Sequence, residues 1–232
     1  MTKGNSSINI KGMPLFKFQS ANRIESLRAG HLYAKTLKYY RDLEITTGDA
    51  EIGDKYEAML HFQNATAQFS TPEGNHMIPL NDTLLSTSSS DDFVFCMFSI
   101  NDVSEEFHFS EKQKENLLSF GDTALIILDS EEFKRRVFEA AKKQGYSVHF
   151  DRVKYYDSTI DNADILLSLF GGMWNAALWK RDSYSHQQES RFIFSPGKGD
   201  DHVVLEIGDI SDITVVRPTK SILSANVVPR EE

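Results

Sequence analysis

The stretch "LFKFQSANRIESLRAGHLYA", residues 15–34, sets the expected fold. "LFKF" reads as a first strand from Leu15 to Phe18, with Lys17 pointing away from Phe16 and Phe18. Ile24 and Leu27 fall three apart, as on one face of a helix, and Gly30 is a good helix stop. Leu32 and Tyr33 begin a second strand. A strand, a short helix, a glycine and a strand thus form the first module.

The rest of the chain extends this pattern. "FVFCMFSI", Phe93–Ile100, and "TALIILD", Thr123–Asp129, are continuous apolar runs and read as buried strands. Ser110 is placed to cap a helix running to Leu118. Ser130 is expected to cap a second helix, Glu131–Lys143. Glu131 and Glu132 in its first turn and Lys142 and Lys143 in its last suit the helix dipole. Phe133, Val137, Phe138 and Ala141 mark its buried stripe, and Gly145 ends it. "SVHFDRVKYY" alternates as a strand does, "DNADILLSLF" reads as a short helix, and "SRFIFS", "HVVLEIG" and "DITVVRP" close the chain as strands. "AMLHFQ" and "AQFST" resemble the two strands of a hairpin, and "TLLSTSSSDD" a Ser-rich linker. "TLKYYRDLEITTGDAEIGDKYEA" carries Gly/Asp turn signals and no clear period, so an ordered loop is expected there. The order predicts one α+β domain over residues 13–218, with a mixed, mostly antiparallel sheet and a few flanking helices. Residues 1–12 are expected as a flexible arm and 219–232 as a C-terminal tail.

The chain has 232 residues, 40% hydrophobic and 25% charged, with a net charge of −9. That charge argues against a dominant phosphate-binding surface and against strong non-specific nucleic-acid binding, while leaving room for a small anion on one or two cations. Cys96 is the one cysteine, so no intramolecular disulfide forms. Its apolar run points to a buried thiol rather than a nucleophile. "MTKGNSSINIKG" lacks the apolar core of a signal peptide, and no run reaches the length of a membrane span. A cytoplasmic location and no membrane partner are expected.

Three clusters carry chemistry. In "SHQQESRF", strand alternation puts Gln187, Glu189 and Arg191 on one face and Gln188 and Ser190 on the other. An amide beside a carboxylate suits a ribose, and the carboxylate suits developing positive charge at its anomeric carbon. Arg191 suits a phosphate, or neutralises Glu189 as part of an ordinary strand end. In "LKYYRDLE", Tyr39, Tyr40 and Arg41 suit a flat ring beside an anion, or pack as an aromatic loop. In "GDKYEA", Asp54 and Glu57 lack histidine partners at metal-site spacing, so turn chemistry is the expectation and no metal is assigned. "FGGMWNAALWKRDSY" suits a glycine-hinged aromatic lid or a core-packing segment, with Lys180 and Arg181 at its positive end.

"LFKF", "LYAKTLKYYRD", "GDKYEA", "FVFCMFSI", "DRVKYYD" and "LWKRDSYSHQQESRFIF" occur in an order that resembles an uncharacterised domain family of bacteria and phages. That family has a Lys-aromatic first strand and a late K…Y…E/Q-x-E-x-R element, here Lys180…Tyr184…Gln187-Gln188-Glu189-Ser190-Arg191. Gly53-Asp54 stands where the family has Asn-Asp-Pro. More loosely, the opening module and the Gln187-x-Glu189 pair resemble ADP-ribosyltransferases, with Lys17 where those enzymes usually place Arg or His. This second resemblance implies NAD as substrate, Glu189 and Gln187 as catalytic residues, Tyr39 or Tyr40 against nicotinamide, and Arg41 or Lys17 at the pyrophosphate. Arg191 and Lys180 would complete the nucleotide contacts. The alternatives are a non-enzymatic phage or bacterial protein that blocks a host or defence protein, and a metal-dependent hydrolase using Asp54, Glu57 and Glu189.

Overall fold

A computed structural model describes residues 8–49, 51–85, 91–102, 104–159, 176–197 and 199–228. Strand β1 (Leu15–Gln19), helix α1 (Ala21–Arg28) and strand β2 (His31–Thr36) form the expected opening module. Gly30 turns the chain between α1 and β2 at φ +106°, and a Cβ there would stand 2.5 Å from the backbone of Gly208. Glycine is therefore required on both conformational and steric grounds. Helix α2 (Leu37–Thr47) follows directly, then β3 (Leu60–Thr71), β4 (Gly74–Leu85) and β5 (Phe93–Ser99). Next come α3 (Glu111–Phe120), β6 (Thr123–Ile127), α4 (Ser130–Lys143), β7 (Ser147–Arg152) and β8 (Lys154–Tyr156). The described chain closes with β9 (Trp179–Arg181), β10 (Glu189–Ser195), β11 (His202–Glu206), β12 (Thr214–Pro218) and α5 (Thr219–Leu223).

Eight strands form one sheet with the path β11-β2-β5-β1-β6-β12, to which β10 and β7 join through β5. Every pairing in it is antiparallel. The fold is α+β. One face packs Leu15, Phe93, Phe95, Phe192 and Phe194 against α1 and α4 through Ile24, Leu27, Phe133 and Val137. The other face packs Phe16, Phe18, Phe98 and Ile126 against α3 and α5, and Val94 and Ile193 near α2. The alternation of apolar side chains along β1 and β5 thus feeds two separate cores, because helices cover both faces.

The sheet is split at β5. Along one edge β5 pairs with β10 from Phe93 to Phe98. Along the other edge β2 pairs at Phe93 and Val94, and β1 pairs at Phe98 and Ser99. Phe95, Cys96 and Met97 lie between these two contacts, where β1 and β2 diverge around α1. A cavity occupies that divergence.

Several expectations change. The stretch after β2 begins as a helix. Thr36 caps α2 by accepting the Tyr39 N–H at 3.1 Å, and Gly48 ends it in the left-handed conformation. Its period is faint because Leu37 is its one fully buried residue. "AMLHFQ" and "AQFST" lie on one long strand, β3, whose partner is β4, and the turn is Pro72-Glu73. Asp129, not Ser130, caps α4 through the Glu132 N–H. Phe138 is 39% exposed, since the buried stripe is Phe133, Val137, Ala140 and Ala141. Lys11, placed in the arm, is held by the Leu128 carbonyl and Asp129. The start of the expected tail is α5, with Ile222 and Leu223 buried. "DNADILLSLF", Gly171, Gly172, Trp174 and residues 86–90 of the Ser-rich linker lie outside the described residues. No helix among the described residues is long and apolar enough to cross a membrane.

Phe192 is fully buried and meets Phe95, Phe133, Phe150 and Phe194. Phe192→Ala is expected to lower unfolding stability by about 3–5 kcal/mol, measured by urea denaturation. A loss below about 1 kcal/mol would contradict this placement of the core.

Candidate functional site

Strand alternation carries Glu189 and Arg191 to one face of β10, the face shared with Cys96 and Phe98 of β5. Arg191 is fully buried, and its guanidinium is engaged on three sides. Nε donates to Glu189 Oε2 at 2.7 Å. Nη1 donates to Glu57 Oε1 at 2.6 Å and to the Ala177 carbonyl at 2.7 Å, and Nη2 to Glu57 Oε2 at 3.0 Å. The other Glu189 oxygen accepts from Lys180 Nζ at 2.7 Å. Lys180 is itself buried and also donates to Gln187 Oε1 at 2.8 Å. Gln187–Lys180–Glu189–Arg191–Glu57 is therefore one continuous chain of buried hydrogen bonds, with two cations and two anions.

Glu189 and Lys180 have their charges fixed by their neighbours. Burial alone would raise the Glu189 pKa, but Arg191 and Lys180 outweigh it and hold the carboxylate well below its usual range. Burial opposes the charge of Lys180, which Glu189 restores, leaving its pKa raised. Asp54 differs. It is buried beside Glu57, and desolvation and that neighbouring carboxylate raise its pKa, against Lys180 and an Arg181 contact at 3.5 Å.

The segment between α2 and β3 is tied down by this chain. Glu57 holds Arg191, the Glu51 carbonyl accepts from Gln187 Nε2 at 2.9 Å, and the Glu44 carboxylate accepts the Lys55 N–H at 2.6 Å. Its order comes from long-range polar contacts rather than from a period of its own.

A cavity of about 750 Å³ opens over this network and into the split of the sheet. Lys17, Tyr39, Tyr40, Glu57, Cys96, Lys180, Gln187, Glu189 and Arg191 all line it. Its volume lies within the range of small-molecule sites. Tyr39 is half-exposed at its side, edge-on to Tyr40, with the Lys35 ammonium 4.6 Å from its ring centre. Lys35 is paired with Asp201. Lys17 donates to the Cys96 carbonyl at 2.6 Å and sits 4.6 Å from the centre of the Phe95 ring.

Of the residues that the resemblance assigns to NAD, Arg41 does not line the cavity, and neither do Asp54 and Arg181. Arg41 turns to the Glu57 carbonyl, 2.8 Å from Nη2, and so supports the segment that holds Arg191. Gln187 reaches the site from the end of a 3₁₀ turn, Asp182–Gln187, and not from the strand. Gln188 takes a left-handed φ of 41° between them, which redirects the chain into β10. Lys180 and Arg191 are committed to carboxylates. Cys96 is half-buried at the cavity wall rather than fully buried, and burial pushes its thiol pKa up to about 12. Sequence reasoning missed the weight of Glu57. Its signal was a lone carboxylate in a turn-rich segment, and only the fold brings it to Arg191, 134 residues away. Among the described residues no group of three or more His, Cys, Asp or Glu is placed to hold a metal ion. No family model, curated protein or solved structure matches this chain.

Two outcomes follow from this geometry. Removing one partner of the buried pair leaves an uncompensated charge, so Glu57→Gln is expected to cost about 3–5 kcal/mol in chemical denaturation. A cost below about 1 kcal/mol would place Glu57 in solvent. Because the Glu189 pKa is depressed on folding, its contribution is present above the unfolded-state pKa and is lost as pH falls through the folded one. The stability difference between wild type and Glu189→Gln is expected to be constant above about pH 5 and to shrink below it. A difference that grows on acidification would reverse the sign of this assignment.

Proposed function

We propose that the protein binds NAD in the cavity at the split of the sheet and cleaves the nicotinamide–ribose bond. The observation that carries this reading is the meeting of Glu189 with Lys17, Tyr39 and Tyr40 around one cavity, although they come from opposite ends of the chain. These are the residues that the resemblance to ADP-ribosyltransferases assigns to NAD. A carboxylate has about four lone-pair positions. Lys180 and Arg191 take one on each oxygen of Glu189, leaving the others for ribose hydroxyls. Held ionised, Glu189 supplies negative charge beside an anomeric carbon that becomes cationic as nicotinamide departs. Tyr39 offers a ring at the cavity wall, Arg23 supplies positive charge for the pyrophosphate, and Lys17 offers a hydrogen-bond donor beside it. Gln187 and Lys180 act by fixing the position of Glu189.

A second reading, a protein-binding role, draws on the β3–β4 ribbon. Its two strands pair with each other alone among the described residues, and Met77 and Ile78 are 63% and 48% exposed. Loss of a co-purifying protein on Met77→Asp, with no nicotinamide release by wild type, would favour it over the enzyme.

The test of the enzyme is nicotinamide release from NAD. Glu189→Gln is expected to lower kcat by about 10²–10³. Because that change also leaves Lys180 and Arg191 short of a charge, its melting temperature is measured in parallel. Tyr39→Ala, which removes a half-exposed ring outside the ion chain, is expected to raise KM while the fold is kept. A folded Glu189→Gln with wild-type turnover would remove the catalytic role.

A further inference from the structure

We infer that Lys17 is a nucleophilic amine that captures an anionic aldehyde or ketone in the cavity as an imine, with Arg23 holding the ligand's anionic group. The inference does not depend on NAD cleavage, and it rests on how Lys17 differs from the other cations around it. Lys180 and Arg191 are locked to Glu189 and Glu57, and Lys35 to Asp201. Lys17 faces the same cavity, yet among the described residues it has no carboxylate partner. Its Nζ donates to the Cys96 carbonyl at 2.6 Å and lies 4.6 Å from the centre of the Phe95 ring.

A half-buried ammonium with no carboxylate partner among the described residues is costly, and the usual relief is loss of the proton. Burial lowers the Lys17 pKa, and Arg23 adds to the lowering, while Cys96 and Glu189 oppose it. An amine desolvated beside a second cation is the environment that activates lysine toward carbonyl carbon. Its position matters equally. Lys17 lies on β1 where β1 and β2 part, so the amine stands in the opening of the sheet rather than in a closed core. Arg23, on α1, lines the same cavity and likewise lacks a carboxylate partner among the described residues. It supplies a fixed charge for a phosphate or carboxylate group, which would bring the carbonyl of a short ligand to Lys17.

The step balances without a redox partner. The Lys17 nitrogen lone pair forms a bond to the carbonyl carbon, and the carbonyl π pair moves to oxygen. A proton passes from nitrogen to that oxygen, giving a carbinolamine. The C–O bond then breaks, the oxygen leaves as water with a second proton, and the C=N bond of the imine forms.

The experiment treats the full chain with substoichiometric pyridoxal 5′-phosphate, an anionic aldehyde, traps imines with borohydride and maps the modified lysines by peptide mass spectrometry. Lys17 is expected to be modified severalfold faster than exposed Lys38 and Lys220, because its lowered pKa leaves more free amine at neutral pH. Lys17→Arg, which keeps a donor for the Cys96 carbonyl and cannot form the imine, is expected to remove the dominant adduct while retaining a cooperative melt. Arg23→Ala and excess inorganic phosphate are each expected to slow labelling of Lys17 and leave Lys220 unaffected. Adducts spread over the exposed lysines, or an adduct at Lys17 only after unfolding in urea, would overturn the inference. So would phosphate binding to wild type and Lys17→Arg alike with no Lys17 adduct, which would leave Lys17 as an anion contact alone.

Discussion

The ion chain from Glu57 through Arg191 and Glu189 to Lys180 is the constraint on which the rest of the site depends. Four charges leave water together, each at a penalty of several kcal/mol if taken alone. They persist because every one finds its counter-charge within hydrogen-bonding distance. That requirement fixes geometry. It joins β10 to β9, and β10 to the irregular segment before β3, which has little helix or strand of its own to hold it. Arg41 on α2 extends the same logic by anchoring the Glu57 carbonyl. A hydrophobic cluster of similar volume would stabilise comparably or better, but would leave no ionised carboxylate at the cavity wall.

The second constraint is topological. β5 must pair with β10 along its length and share its other edge between β1 and β2. Two strands joined by a helix cannot both run flush along the same edge, so the sheet opens where they part. Open space, an unmatched amine at Lys17 and a charge-locked carboxylate at Glu189 are therefore brought to one place by packing alone. The cations around the cavity fall into two groups. Lys180, Arg191 and Lys35 are paired with carboxylates, and Lys17 on β1 and Arg23 on α1 have no carboxylate partner among the described residues.

The sequence made local structure visible and long-range pairing invisible. The opening strand, helix, glycine and strand stand as read, because Ile24, Leu27 and Gly30 carry local signals. The strands through Phe93 and Thr123 do too. Helix α2 was hidden, since Thr36 and Gly48 bracket it but its buried face is one leucine supplemented by polar contacts. "AQFST" looked like a returning strand because its length and alternation fit one, and alternation says nothing about direction. The shared face of Glu189 and Arg191 followed from a period of two. Gln187 arrives by a different route, as the left-handed Gln188 shows, and its link to Glu189 runs through Lys180. No local pattern could pair Glu57 with Arg191 or turn Arg41 away from the cavity.

On the proposed reading, one cavity, in the split of the sheet, takes a nucleotide between β5, α2 and the end of β10. Amide hydrogen exchange with and without saturating NAD tests it most directly. The account predicts slowed exchange at residues 95–97, across Leu37–Thr47 and at residues 187–189, with the β3–β4 ribbon unchanged. Unaltered exchange throughout, or protection confined to Leu60–Thr71 and Gly74–Leu85, would contradict it.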